Sequence, residues 1–135
     1  MKKIIAFVLV LLLATATIPA VGAAEFSDVP QGHWAKSYIE EMTERGLFTG
    51  YTDGTFRPND DITLVQTLAL LARLYDIDEE SKQLLISEHN SYLTELLKGT
   101  SLTWAIPELA ICLEAGIITK VELNGYASGG ELGKA

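Results

Sequence analysis

The apolar positions of this chain fall into four stretches with helical spacing, separated by short polar connections. In "HWAKSYIEEMTERG", Trp34, Tyr38 and Met42 share one helical line, with Ala35 and Ile39 beside it. Gly46 closes that helix as a left-handed cap. A second helix is predicted over 63–75, where Leu64, Val65, Leu68, Ala69, Leu70, Leu71 and Leu74 cover most of the circumference. A helix that apolar is expected to be surrounded by other helices or by another subunit. The charged run "DIDEESK" opens a third helix reaching about Lys98, with Leu85, Tyr92 and Leu96 in one stripe and Ile86, Leu93 and Leu97 alongside. Gly99 stops it. A fourth covers 104–115 and tolerates Pro107 because proline is accepted near a first turn. The fold class predicted is all-α.

The connection between the first two helices carries the densest local signals. Asp53-Gly54 marks a turn, and Arg57-Pro58 is expected to send the chain along an extended path. At "TLVQ" the Thr63 hydroxyl can cap the next helix while Gln66 returns a hydrogen bond to the Thr63 backbone, a capping box that needs no charge. A calcium loop over the same segment fails chemically. Its first and third places would fall on Thr49 and Tyr51, where oxygen ligands, usually carboxylates, are required.

The first and fourth helices repeat at an offset of 70 residues. Trp34-Ala35 matches Trp104-Ala105, Ile39 matches Leu109, Met42 matches Cys112, Glu44 matches Glu114, and "GLFT" falls on "GIIT". Two copies of one supersecondary unit are the reading. The second copy is degenerate after Thr119: it keeps only a turn pair, Asn124-Gly125, and has no second helix. Trp104, Leu109, Cys112, Leu113 and Ile117 would then lie uncovered, so self-association or fraying from about Thr100 is expected.

Lys2 and Lys3 precede an apolar and threonine-containing run over 4–18, which Pro19 breaks ahead of "AVGAA". That is the pattern of a cleaved signal peptide spanning 1–24, and the run is shorter than the roughly 20 residues of a spanning helix. The chain is expected to be secreted and to have no membrane association after cleavage. Removing both lysines leaves eight basic against eighteen acidic residues, a formal charge of −10. Nucleic acid and anionic lipid are thereby excluded as partners, since both need a basic face. Cys112 stands alone in "ELAICLEAGI", so no internal disulfide forms and a buried thiol is expected.

No catalytic constellation emerges: there is no nucleophile elbow and no phosphate loop. His33 and His89 lie in different helices without metal-pair spacing, so neither a metal site nor a cofactor is expected. The carboxylates of "IEEMTE" and "DIDEE" read as solvated helix faces. Trp34 and Trp104, at matched positions beside alanine, read as core anchors, with stacking on a sugar as the alternative.

With these residues in place, "FSDVPQGHWAKSYIEEMTERGLFTGYTDGTFRPNDDITLVQTLALLARL", 26–74, resembles the S-layer homology (SLH) family of bacterial cell-surface modules. "WAIPELAICLEAGIIT", 104–119, is similar to the opening of a second, divergent repeat. The resemblance implies helix–loop–helix repeats in an incomplete pseudo-threefold helical bundle. The domains would be a first repeat at 25–76, a linker helix at 77–99 and an incomplete second repeat at 100–135. It further implies a non-enzymatic protein of the cell wall or cell surface, holding secondary cell-wall polysaccharide, often a pyruvylated and therefore anionic glycan. Other SLH units or a second copy of the chain are further partners. Glycan-binding candidates are Asp28, Trp34, Asp53, Arg57 and Thr63, with Thr63 and Gln66 as the structural cap. The family's Thr-Arg-Ala-Glu helix start reads Thr63-Leu64-Val65-Gln66 here, so capping chemistry is kept and the glycan-associated arginine is replaced. The alternative is a helical protein–protein module on an SLH scaffold without glycan binding.

Overall fold

A computed structural model describes residues 25–134, and the expected signal segment lies outside the described residues. Among the described residues five helices occur in chain order: α1 Lys36–Glu44, α2 Leu64–Arg73, α3 Glu79–Leu96, α4 Ile106–Glu114 and α5 Lys120–Ser128. A 3-10 turn at Thr103–Ala105 leads into α4. No strand occurs among the described residues, and no helix there is long and apolar enough to cross a membrane. The fold is all-α, as expected.

Local chemistry fixes where the helices begin. Asp78 caps α3 by accepting from the Ser81 N–H at 2.9 Å and the Ser81 hydroxyl at 2.7 Å. Glu79 and Glu80 then occupy its first turn, opposing the positive end of the helix dipole. Pro107 sits at the start of α4, where its missing N–H leaves no bond unmade.

The apolar residues divide into two clusters. The larger joins Val65, Leu68 and Ala72 of α2, Leu93 of α3, Leu97 just beyond α3, Leu109 to Cys112 of α4, Leu123 of α5, and Leu132. The smaller holds Phe26, Val29, Ala35 and Ile39, with Phe56 packed against it. The segment read as a linker, 77–99, is thus a core element, since α3 packs closely along α4. α2 likewise belongs to the larger core, not only to the unit that α1 begins. Arg73 ties these parts together. Its guanidinium donates to the Leu47 carbonyl at 3.1 Å, beyond α1, and to Glu108 on α4 at 3.2 Å.

Residues after Thr119 are not a degenerate remainder with a turn at Asn124-Gly125, because both lie inside α5. Thr119 and Glu122 form a full capping box, with the Thr119 N–H donating to the carboxylate at 2.9 Å and the Glu122 N–H to the hydroxyl at 3.2 Å. That start outweighs the turn preference of Asn-Gly. Of the residues expected to lie uncovered, Leu109 and Cys112 are fully buried and Leu113 and Ile117 partly so, while Trp104 stays half exposed.

The tryptophans are not core anchors. Trp34 is 80% exposed, and about half of Trp104 is exposed. Both precede the first residue of their helix, where helical periodicity does not yet apply, and the neighbouring Ala35 and Ala105 take the buried positions. α2 is not covered on all sides either: Val65, Leu68, Ala69 and Ala72 face inward, while Leu71 and Leu74 meet solvent. Finally, Arg57 is not extended, having a φ of 60°. The preference of a pre-proline residue for extended backbone yields here to the hydrogen bonds described next.

Candidate functional site

The loop between α1 and α2 is built around two carboxylates. Asp28 accepts the N–H of Phe56 at 2.8 Å and of Arg57 at 2.7 Å, pinning two successive amides. These bonds, the Phe56 one foremost, hold its carboxyl below the usual range. Asp53 accepts the Thr55 hydroxyl at 2.6 Å, the Thr55 N–H at 3.0 Å and Arg57 Nη2 at 2.8 Å. Its pKa falls from 3.8 to about 2, chiefly through the Thr55 hydroxyl and then Arg57. Arg57 Nε donates to the Thr55 hydroxyl at 3.2 Å, and the guanidinium lies 4.2 Å over the Tyr51 ring. Phe56 packs between Phe26 and Phe48, each with a ring centroid 5.3 Å away. Gly50 has a φ of 64°, and a Cβ there would collide with the Phe26 ring.

The helix start is coupled to this loop. Gln66 Oε1 accepts the Thr63 N–H at 2.9 Å, and the Gln66 N–H reaches the Thr63 hydroxyl at 3.3 Å. Gln66 Nε2 also donates to the Tyr51 hydroxyl at 3.1 Å. Thr63→Ala is expected to lower stability by about 1 kcal/mol. Gln66→Glu should be tolerated, because the Tyr51 hydroxyl can turn from acceptor to donor. Thermal melts of the two variants test this, and an unchanged midpoint for Thr63→Ala would remove the cap from the account.

A pH dependence follows from Asp53. A carboxylate whose folded pKa is depressed contributes stability that is complete above its unfolded value and is lost as pH falls through the folded one. The loop is therefore expected to loosen between about pH 4 and pH 2, and Asp53→Asn should flatten that transition. Tyr51 ring resonances followed by NMR during acid titration report it. The same transition in Asp53→Asn would assign it to another carboxylate.

The structure thus brings Asp28, Asp53 and Arg57 into one network and attaches Thr63 to it through Gln66 and Tyr51. Trp34 stands apart from these bonds, its indole stacked on His33 at a centroid distance of 5.9 Å. His33 is held in turn by the Ala35 N–H, which donates to its Nδ1 at 3.2 Å. Arg73 was not foreseen. With Lys82, Tyr75 and Glu108 it lines a cleft of about 250 Å³ between the end of α2 and α4. Only the presence of a cation near the end of an apolar helix hinted at it in the sequence.

Residues 25–64 match the family model of the S-layer homology domain. The chain is also similar to the outer membrane protein SlpA of Thermus thermophilus, 43% identical over 83 residues that make up 61% of this chain and 9% of that protein. S-layer protein EA1 of Bacillus anthracis is 31% identical over 85 residues, 60% of this chain and 10% of its own. An endoglucanase of a Bacillus species is 30% identical over 97 residues, 72% of this chain and 9% of that enzyme. This chain therefore spans about a tenth of the length of these relatives. No solved structure matches it. The matched segment contains α1 and the whole Asp28–Asp53–Arg57 network and stops where α2 begins, so residues 25–64 of this chain carry an S-layer homology domain.

Proposed function

We propose that this cell-surface S-layer homology protein attaches non-covalently to an anionic secondary cell-wall polysaccharide and performs no catalysis. The observation that carries the reading is the exposure of Trp34. A large aromatic face left in solvent and steadied by His33 is a platform on which a sugar ring can stack. Tyr38, 64% exposed one turn further along, extends the aromatic surface. Arg57 supplies the cationic side. Two of its nitrogens are committed within the loop, while Nη1 makes no protein hydrogen bond among the described residues and the side chain is 43% exposed. The loop then acts as a rigid mount that presents one guanidinium edge, so little ordering is needed on binding.

Sedimentation with purified cell walls, with and without their pyruvylated polymer, tests the attachment. Binding should require the polymer, and Trp34→Ala should weaken it roughly two- to tenfold, the scale of an aromatic contact beyond its area burial. Equal binding to stripped walls would overturn the reading. One observation favours a second reading, a protein–protein module: Leu71, Leu74 and Tyr75 form an exposed apolar face at the end of α2, with Leu74 63% exposed. Wall binding that survives Trp34→Ala but is lost in Leu74→Ser would select it.

A further inference from the structure

We propose that Glu88, His89 and Glu114 form a binding site for a divalent transition-type cation, with zinc as its representative, clamping α3 to α4. One ligand atom from each residue lies within 4.8 Å of the others. His89 is only 7% exposed, and neither ring nitrogen has a hydrogen-bond partner. A buried polar group left unpaired in this way is costly. Its Nε2 faces the Glu114 carboxylate at 3.8 Å, too far for a hydrogen bond and close to the spacing of two ligands on one metal ion. Zinc accepts imidazole nitrogen and carboxylate oxygen at roughly 2.0–2.2 Å, so donors on one ion stand at most about 4 Å apart. Glu88 and Glu114 are both exposed, and their side chains can close the remaining fraction of an ångström.

The fold adds a field of the right sign. Glu114 is the last residue of α4, where the helix dipole favours positive charge. An imidazole among the donors selects against calcium and magnesium, which take oxygen ligands. The exposed glutamates open the site to solvent while His89 roots it in the core between the two helices. A bound ion would therefore couple metal occupancy to the packing of α3 on α4.

The test is thermal unfolding of the chelator-treated full chain with added zinc, calcium or magnesium. At zinc about a hundredfold above the dissociation constant, the melting midpoint should rise by at least about 5 °C. Calcium and magnesium should not reproduce the rise. Glu114→Gln, a surface change expected to leave the fold intact, should weaken zinc binding at least about tenfold by calorimetry, and His33→Gln should not. In NMR spectra the His89 imidazole, not that of His33, should shift with zinc. No rise, an equal rise with calcium, undiminished binding in Glu114→Gln, or a response at His33 alone would each overturn the proposal.

Discussion

Leu123→Ala is expected to lower the stability of this protein by about 2–5 kcal/mol, the range for truncating a buried leucine. Leu123 is fully buried and belongs to the cluster that holds α2, α3 and α4 together. α5 has few other ties to that core. The Tyr92 hydroxyl donates to the Lys120 carbonyl at 3.2 Å, and beyond α5 the Val65 N–H donates to the Leu132 carbonyl at 3.0 Å. Loss of the Leu123 side chain should therefore release α5 along with the cavity term, and Val65 would lose its backbone partner as the tail loosens. Hydrogen exchange at 120–132 should rise first, ahead of α3 and α4. A variant with an unchanged melting midpoint would mean that α5 only covers a core complete without it.

α5 also shows where the sequence was readable and where it was not. Its start was in plain view, because Thr119-x-x-Glu122 is the same box as Thr63-x-x-Gln66. Asn124-Gly125 masked it, since a turn pair between polar residues outweighs a helix with a single inward leucine when only the local pattern is weighed. What decides the matter is tertiary: Leu123 and Leu132 close a core that the sequence alone does not assemble. The helices with broad apolar stripes, α2 and α3, were legible within a residue or two, because their starts are capped by Thr63 and Asp78. Side-chain direction was legible only inside regular helix. Trp34 and Trp104 lie just before it, where helical periodicity does not set which way a side chain points.

The loop between α1 and α2 divides in the same way. Asp53-Gly54 and the Thr63 cap are local chemistry and could be read directly. The role of Asp28 could not, because its partners are the amides of Phe56 and Arg57 across the loop, and that pairing sets Arg57 at a positive φ against its proline neighbour. Glu114 meets His89 only once α4 lies along α3, so no spacing in the sequence announces that cluster. Residues that act within one turn of chain were legible. Those that act across two elements needed the fold.

The charge missing from the start of α2 leads to the last expectation. Leu64 is partly buried against the larger core, one position beyond the Thr63 cap. In Leu64→Arg the aliphatic stem can keep much of that contact while the guanidinium reaches solvent, so the cost in stability should be about 1 kcal/mol. The new cation would stand on the helix whose start is tied through Gln66 and Tyr51 to the loop that presents Arg57. A charge-assisted hydrogen bond contributes about 1.5–3 kcal/mol, so affinity for an anionic wall polymer should rise roughly tenfold to a hundredfold. The gain should shrink at high salt, where screening shortens the reach of an exposed charge to about 3 Å at 1 M. Sedimentation with wall fragments at two salt concentrations reads both effects. Equal binding by the two proteins at low salt would show that the start of α2 does not face the polymer, and would move the cationic contact to Arg57 alone.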